Sequence, residues 1–123
     1  LCAEQGVDID TKFGGLKLMV GGEGAFLLRA SGQGKLVLST YGALDRFTLE
    51  SGQTVIVDTN HMVAFAESVT MELKKASESK MKSLKSGEGL VFNFTGPGEL
   101  MMQSRNPDDL IRYLTANMPG NRA

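Results

Sequence analysis

Apolar and polar residues alternate along most of this chain with a period of two, the signature of strands that have one dry and one wet face. Val7-Asp8-Ile9-Asp10-Thr11 opens the pattern, Gly14-Gly15 interrupts it, and 16–20 resume it. Further strands are predicted over 46–49, 54–57 and 61–66, parted by Ser51-Gly52-Gln53 and by the polar hinge Asp58-Thr59-Asn60. The cleanest alternation is Val69-Thr70-Met71-Glu72-Leu73-Lys74, which should turn Val69, Met71 and Leu73 to a core. Leu90, Phe92 and Phe94 put three large side chains on one face of a later strand. By the same alternation Leu100 faces in, while Met101, Val91 and Val37 face out and leave a second apolar surface.

The period changes once, at the far end. Asn106 is a suitable N-cap, Pro107 suits the first helical position, and Asp108 and Asp109 oppose the positive end of the dipole. Leu110, Tyr113 or Leu114, and Met118 follow at helical spacing before Pro119-Gly120 stops the helix. Its apolar stripe is expected to dock on the sandwich, with an edge strand or a partner as the other surfaces it would cover.

A phrase recurs. Gly22-Glu23-Gly24 leads into an apolar strand, a hydroxyl residue and Gly32-Gln33-Gly34; Gly87-Glu88-Gly89 leads into another and Gly96-Pro97-Gly98. The spacing differs by one residue, which a β-bulge absorbs. An internal repeat says that one strand–turn–strand unit was used twice. It predicts two superposable hairpins, 25–30 with 35–41 and 90–94 with 99–104. Strands every eight to twelve residues with glycine turns between them point to a β-sandwich or barrel.

Composition narrows the function more than the fold. A chain of 123 residues suits one domain; we expect a β-sandwich over 1–105, a helix over 106–118 and a tail over 119–123. Fifteen glycines suit many tight turns. A net charge of -1 gives no global pull toward nucleic acid or acidic lipid. Cys2 is the single cysteine, so an intrachain disulfide and a multi-thiolate zinc site are both excluded. That favours a reducing, cytoplasmic setting. No run approaches the roughly 20 apolar residues that span a bilayer. The opening Leu1-Cys2-Ala3-Glu4 reads as a strand already under way, so the chain is expected to be part of something longer.

Candidate chemistry is thin. His61 is the only histidine, so a metal held by several histidines cannot be assembled and no metal or cofactor is expected. It follows an Asp-Thr-Asn turn and reads as a strand-edge residue bonded to backbone; no spacing supports a triad with Asp58 and Ser39. Glu23 and Glu88 occupy equivalent repeat positions and invite comparison with paired acid/base carboxylates. Glutamates that cap loop amides beside Gly22, Gly24, Gly87 and Gly89 explain better why the motif appears twice. Lys74, Lys75, Lys80, Lys82 and Lys85, opposed by Glu78 alone, give that segment +4 within a chain of net -1. Such a patch suits phosphates of RNA or an anionic membrane. Yet 66–91 hold no aromatic residue for base stacking, and a solvated loop over 76–86 is the simpler reading. Seven methionines, Met101-Met102 among them, lean toward a contact surface.

Three separated stretches resemble a known family. They are Ser39-Thr40-Tyr41-Gly42-Ala43, Val57-Asp58-Thr59-Asn60-His61-Met62-Val63-Ala64-Phe65, and Ser83-Leu84-Lys85-Ser86-Gly87-Glu88-Gly89-Leu90-Val91 through Thr95-Gly96-Pro97-Gly98. Together they look like the family named for altered inheritance of mitochondria, whose bacterial members are described as resembling the tryptophan RNA-binding attenuator protein. The resemblance runs in order over nearly the whole chain. It implies a double-stranded β-helix-like (TRAP-like) β-sandwich, and it implies that this chain corresponds to the second half of longer members. Yeast and human relatives are linked to organisation of the mitochondrial inner membrane, a role that maps onto no residue here.

The expectation is therefore an all-β sandwich with a short C-terminal helix. It acts as a non-enzymatic, self-associating binding or assembly module whose partner is another copy or the missing N-terminal half. The alternative is a nucleic-acid or anionic-surface binder that uses the Lys-rich loop 74–85.

Overall fold

The computed structural model describes residues 1–12, 19–20, 23–24, 27–75 and 90–120. It is an all-β, sandwich-like fold with one short helix near the C-terminus. The chain divides into two compact units, Leu1–Ser39 and Thr40–Ala123. The span 1–105 expected as one sandwich thus crosses a unit boundary, and each unit is described by itself.

The first unit is a nested antiparallel ribbon. Its strands are β1 (Cys2–Ala3), β2 (Val7–Lys12), β3 (Met19–Val20), β4 (Glu23–Gly24), β5 (Leu27–Gly32) and β6 (Leu36–Val37). β1 pairs with β6, β2 with β5 and β3 with β4, so the two arms run back along each other. Between the outer two pairs the Glu4 carboxylate accepts from the Lys35 amide at 2.9 Å, and Gln33 N donates to Gly6 O at 3.0 Å. None of the ribbon's described side chains is buried.

The second unit holds the buried residues among those described. Its strands are β7 (Leu44–Leu49), β8 (Thr54–Asp58), β9 (Met62–Phe65), β10 (Thr70–Lys75), β11 (Leu90–Thr95) and β12 (Gly98–Gln103); α1 (Pro107–Asn117) follows. One sheet has the order β7-β12-β9 and the other β10-β11-β8. Each pair of consecutive strands, β7–β8, β9–β10 and β11–β12, passes from one sheet to the other. The unit is thus a three-stranded sheet bent double, and β11–β12 runs through its middle. At the bend Gly96 N donates to Gln53 O at 2.9 Å, and Ala66 N donates to Glu99 O at 2.8 Å.

That arrangement corrects the hairpin expectation. β11 and β12 do not pair with each other, and neither do β5 and β6. Alternation specifies which side of a strand is dry, and it is silent about which strand lies alongside. A turn as short as Gly96-Pro97 reads as a hairpin loop from sequence, whereas here it carries the strand across a corner.

The corner needs glycine. Gly98 has φ +143°, and a Cβ there would sit 2.6 Å from both Ser68 Oγ and Val69 Cγ2 of the neighbouring bend. Positive φ and the missing side chain are both used, so glycine is the residue that fits.

Inside the fold Phe94 and Leu100 are fully buried, joined by Leu49, Val57, Val69, Val91 and Phe92. The Phe94 ring lies 5.2 Å from Phe65 of the opposite sheet and 5.8 Å from Phe92, both tilted, which ties the two layers together. Each such side chain contributes about 1.5–3 kcal/mol relative to exposure. Leu100 faces in as expected. Met101, half-buried, shares the outer face with its cross-strand partners Arg46 and Ala64. Val91 was expected to face out and is buried instead, because the turn Thr59–His61 packs against β11 at that end.

The helix forms where its caps predict. Its apolar side chains do not dock: Leu110 and Leu114 are 43% and 42% exposed, and Ile111, Tyr113 and Met118 more so. No residue of α1 is buried.

Candidate functional site

The densest cluster of polar contacts sits where three elements end. β8 runs into Asp58, which caps the turn Thr59–His61 by accepting from Asn60 N at 2.9 Å. An Asp-Thr-Asn sequence bonds its own backbone in this way, and so the chain leaves the strand here. The turn places His61 beside the end of β12 and the start of α1. His61 Nδ1 donates to the Gln103 carbonyl at 2.7 Å. With the proton on Nδ1, Nε2 carries the lone pair, and it accepts from Asn106 Nδ2 at 3.2 Å.

Asn106 is 5% exposed and works on both sides. Its Oδ1 accepts from Asp109 N at 2.8 Å as the helix cap, which orients the amide, and its Nδ2 donates to both His61 and Asp109 Oδ2, the latter at 2.8 Å. Gln103 completes the knot. It accepts from Tyr41 N at 3.0 Å and donates to Asn60 O at 3.0 Å, while Asn60 Nδ2 donates to Asp108 Oδ2 at 3.0 Å. Every one of these groups has a partner, as buried polar groups require.

Chemically the knot holds rather than reacts. The imidazole faces a backbone carbonyl and a side-chain amide, so neither ring nitrogen is directed at a hydroxyl, thiol or carboxylate. The reading of His61 as bonded to backbone is what the Gln103 contact shows. Asn106 was legible as a cap from Asn-Pro-Asp-Asp alone. Its bond to His61, 45 residues away, and the two-way role of Gln103 carried no signal in the sequence.

The remaining candidates are scattered. Lys80, Lys82, Lys85, Gly22, Gly87, Glu88 and Gly89 lie outside the described residues. Glu23 and Gly24 form β4 against Met19–Val20. Lys75 ends β10, and Lys74 Nζ meets Glu72 Oε2 at 3.0 Å. That hydrogen bond and the ammonium charge, with help from Asn93, hold the Glu72 carboxyl below the usual range. Gly32 and Gly34 close the first ribbon, and Gly96 and Gly98 make the corner.

An open cleft of about 360 Å³ lies where edge strands β7 and β8 part, with Phe47, Leu49, Val55 and Met102 as its apolar wall and Thr48, Gln53 and Thr54 at its rim. Arg46 is its charged neighbour, engaged with Glu99. Among the described residues no group of three or more His, Cys, Asp or Glu side chains is placed to hold a metal ion.

Residues 1–105 match the family model described as mitochondrial biogenesis AIM24. An uncharacterised protein of Streptococcus pyogenes serotype M6 is 30% identical over 104 residues, which is 84% of this chain and 41% of that protein. The crystal structure of a Streptococcus pyogenes protein superposes with a TM-score of 0.71 at 26% identity, over 93% of this chain and 50% of that one. The chain spans half or less of the length of these relatives.

Proposed function

Because this chain belongs to the mitochondrial biogenesis AIM24 family, we propose that it is a non-enzymatic binding or assembly module that associates with copies of itself. The observation that carries this reading is the uncovered apolar face of α1. Leu110, Ile111, Tyr113 and Leu114 lie within one short helix and Met118 caps its end, and all are more than two-fifths exposed. Water-exposed apolar side chains clustered on one element mark contact surfaces, and closed cyclic symmetry is the usual outcome when the cover is another copy. Leu28 and Val37 of the first ribbon, 55% and 63% exposed, add to the same surplus. A non-enzymatic role agrees with a histidine whose two nitrogens are both taken by amides.

The family description extends the proposal to an assembly that organises mitochondrial or membrane-type structures. The single cysteine, exposed Cys2, fits a reducing compartment, the cytoplasm in our reading. No helix among the described residues is long and apolar enough to cross a membrane. We also read the two glycine phrases as one duplicated unit, supported by Gly34 and Gly98 with φ +151° and +143°.

Light scattering at tens of micromolar tests the proposal. The expected mass is a multiple of 13.2 kDa, and Leu110→Lys with Leu114→Lys should bring it down to one subunit while the β-sheet circular dichroism is unchanged. A monomer mass for the unaltered chain overturns it.

A further inference from the structure

We propose that β8 joins one copy of the chain to another, the two β8 strands pairing antiparallel about a two-fold axis through Ile56. This rests on the self-association argued above and names one of its contacts.

Among the described strands the two sheets of the second unit leave four edges, β7, β8, β9 and β10. A bare edge is a template for another strand, and proteins blunt such edges with charge, brevity or a bulge. Three of the four are blunted. β10 carries Glu72 and Lys74, β7 carries Asp45 and Arg46, and β9 has four residues facing a register shift between Met101 and Met102. β8 has none of these devices. From Thr54 to Val57 it is uncharged and wholly β-branched, and its register against β11 is unbroken.

The backbone of β8 is turned for pairing. Gly96 N donates to Gln53 O at 2.9 Å, and the bonding side alternates along an antiparallel strand. Val55 and Val57 therefore direct their backbone groups at β11, while Thr54 and Ile56 direct theirs away from the sheet. The Ile56 side chain shares the outer face with Asn93 and is 52% exposed.

The interior is open along the same edge. Phe47 pairs with Leu100 and shares its inward face, yet Leu100 is fully buried and Phe47 is 47% exposed. At the opposite edge the inward residues Phe65, Met71 and Leu73 are half-buried. The cleft between β7 and β8 is this opening.

What fits is a second copy, because the strand is complementary to itself. A two-fold axis normal to the sheet sets residues of one face opposite each other. Centred on Ile56, it pairs Ile56 with Ile56, Val55 with Val57 and the Thr54 hydroxyl with the Asp58 carboxylate, and no like charges meet. Centred on Asp45 or Arg46 of β7, the same operation opposes like charges. The β8 pairing also brings the two clefts to one junction, where each Phe47 gains cover. Five paired residues make a small contact against the roughly 1,200–2,000 Å² of stable interfaces. The pairing therefore sets the register and acts together with α1, and losing either contact dissolves the assembly.

Hydrogen exchange at tens of micromolar and after dilution to single subunits tests the pairing, with light scattering alongside. The Thr54 and Ile56 amides should exchange tenfold or more slowly in the assembly, whereas Val55 and Val57 should be protected in both states. Ile56→Lys should bring the mass down to one subunit with the β-sheet circular dichroism unchanged. Thr54→Lys, set opposite Asp58 of the second copy, should keep the assembly together to lower concentration, and Thr54→Asp should dissolve it. The β8 contact alone is overturned if the chain self-associates and Ile56→Lys leaves the mass unchanged. It is likewise overturned if the Thr54 and Ile56 amides exchange alike in both states, or if the two Thr54 variants shift the assembly in the same direction. A monomer mass for the unaltered chain overturns self-association itself, and this contact with it.

Discussion

Gly98 shows how much a single position decides. Two conditions meet there, a φ of +143° and a neighbouring bend within 2.6 Å of any added carbon. Gly98→Val should destabilise the second unit by well over about 1 kcal/mol, because backbone strain and overlap add, and the urea midpoint should fall with it. A fold that took valine without loss would show that the bend relaxes. Leu100 and Met101 make the complementary point. They are adjacent in sequence, one fully buried and the other half-exposed, and period two alone separates them correctly. Val91 escapes the same rule because a turn covers the wet side of its strand.

At the scale of elements, β7 is held to β12 by its ladder and by a diagonal ion pair, Arg46 with Glu99. The hydrogen bond from Arg46 keeps the Glu99 carboxyl below the ordinary value of 4.5, against a desolvation effect that outweighs the added attraction of the guanidinium charge. A depressed carboxylate stabilises the fold fully above that ordinary value, and the contribution is lost as pH falls through the lower, folded one. Between about pH 5 and pH 3 the wild type should therefore lose more stability than Glu99→Gln, read as the difference in urea midpoints. The gap should be small, because the pair is exposed and screened. Equal losses would show that the pair does no work. The helix carries the opposite lesson. Its start, its cap and its length were legible from Asn106, Pro107, Asp108 and Asp109, since capping is a local affair. Its docking was not, because an apolar stripe says that a cover is favourable and leaves open where the cover comes from.

For the whole molecule the contrast is between the units. All seven buried hydrophobic residues among those described lie in the second, 40–123, and none of the described side chains of the first, 1–39, is buried. A two-stranded ribbon is marginal by itself. Native-state hydrogen exchange should find the amides of β2 and β5 opening far more readily than those of β11 and β12, whose protection approaches that of global unfolding. Equal protection in both units would mean that the ribbon has a core of its own. What the sequence determined alone was local: strands wherever apolar residues alternate, turns at Gly and Asp-Thr-Asn, a capped helix, and a chemistry limited by one histidine and one cysteine. The tertiary structure decided the rest. It sent β11 and β12 to different sheets, buried Val91, brought His61 to Asn106, and left α1 uncovered. The reason is physical: a side chain's face and a backbone's turn are set by its neighbours in sequence, while pairing and cover depend on strands and helices tens of residues away, for which alternation carries no address.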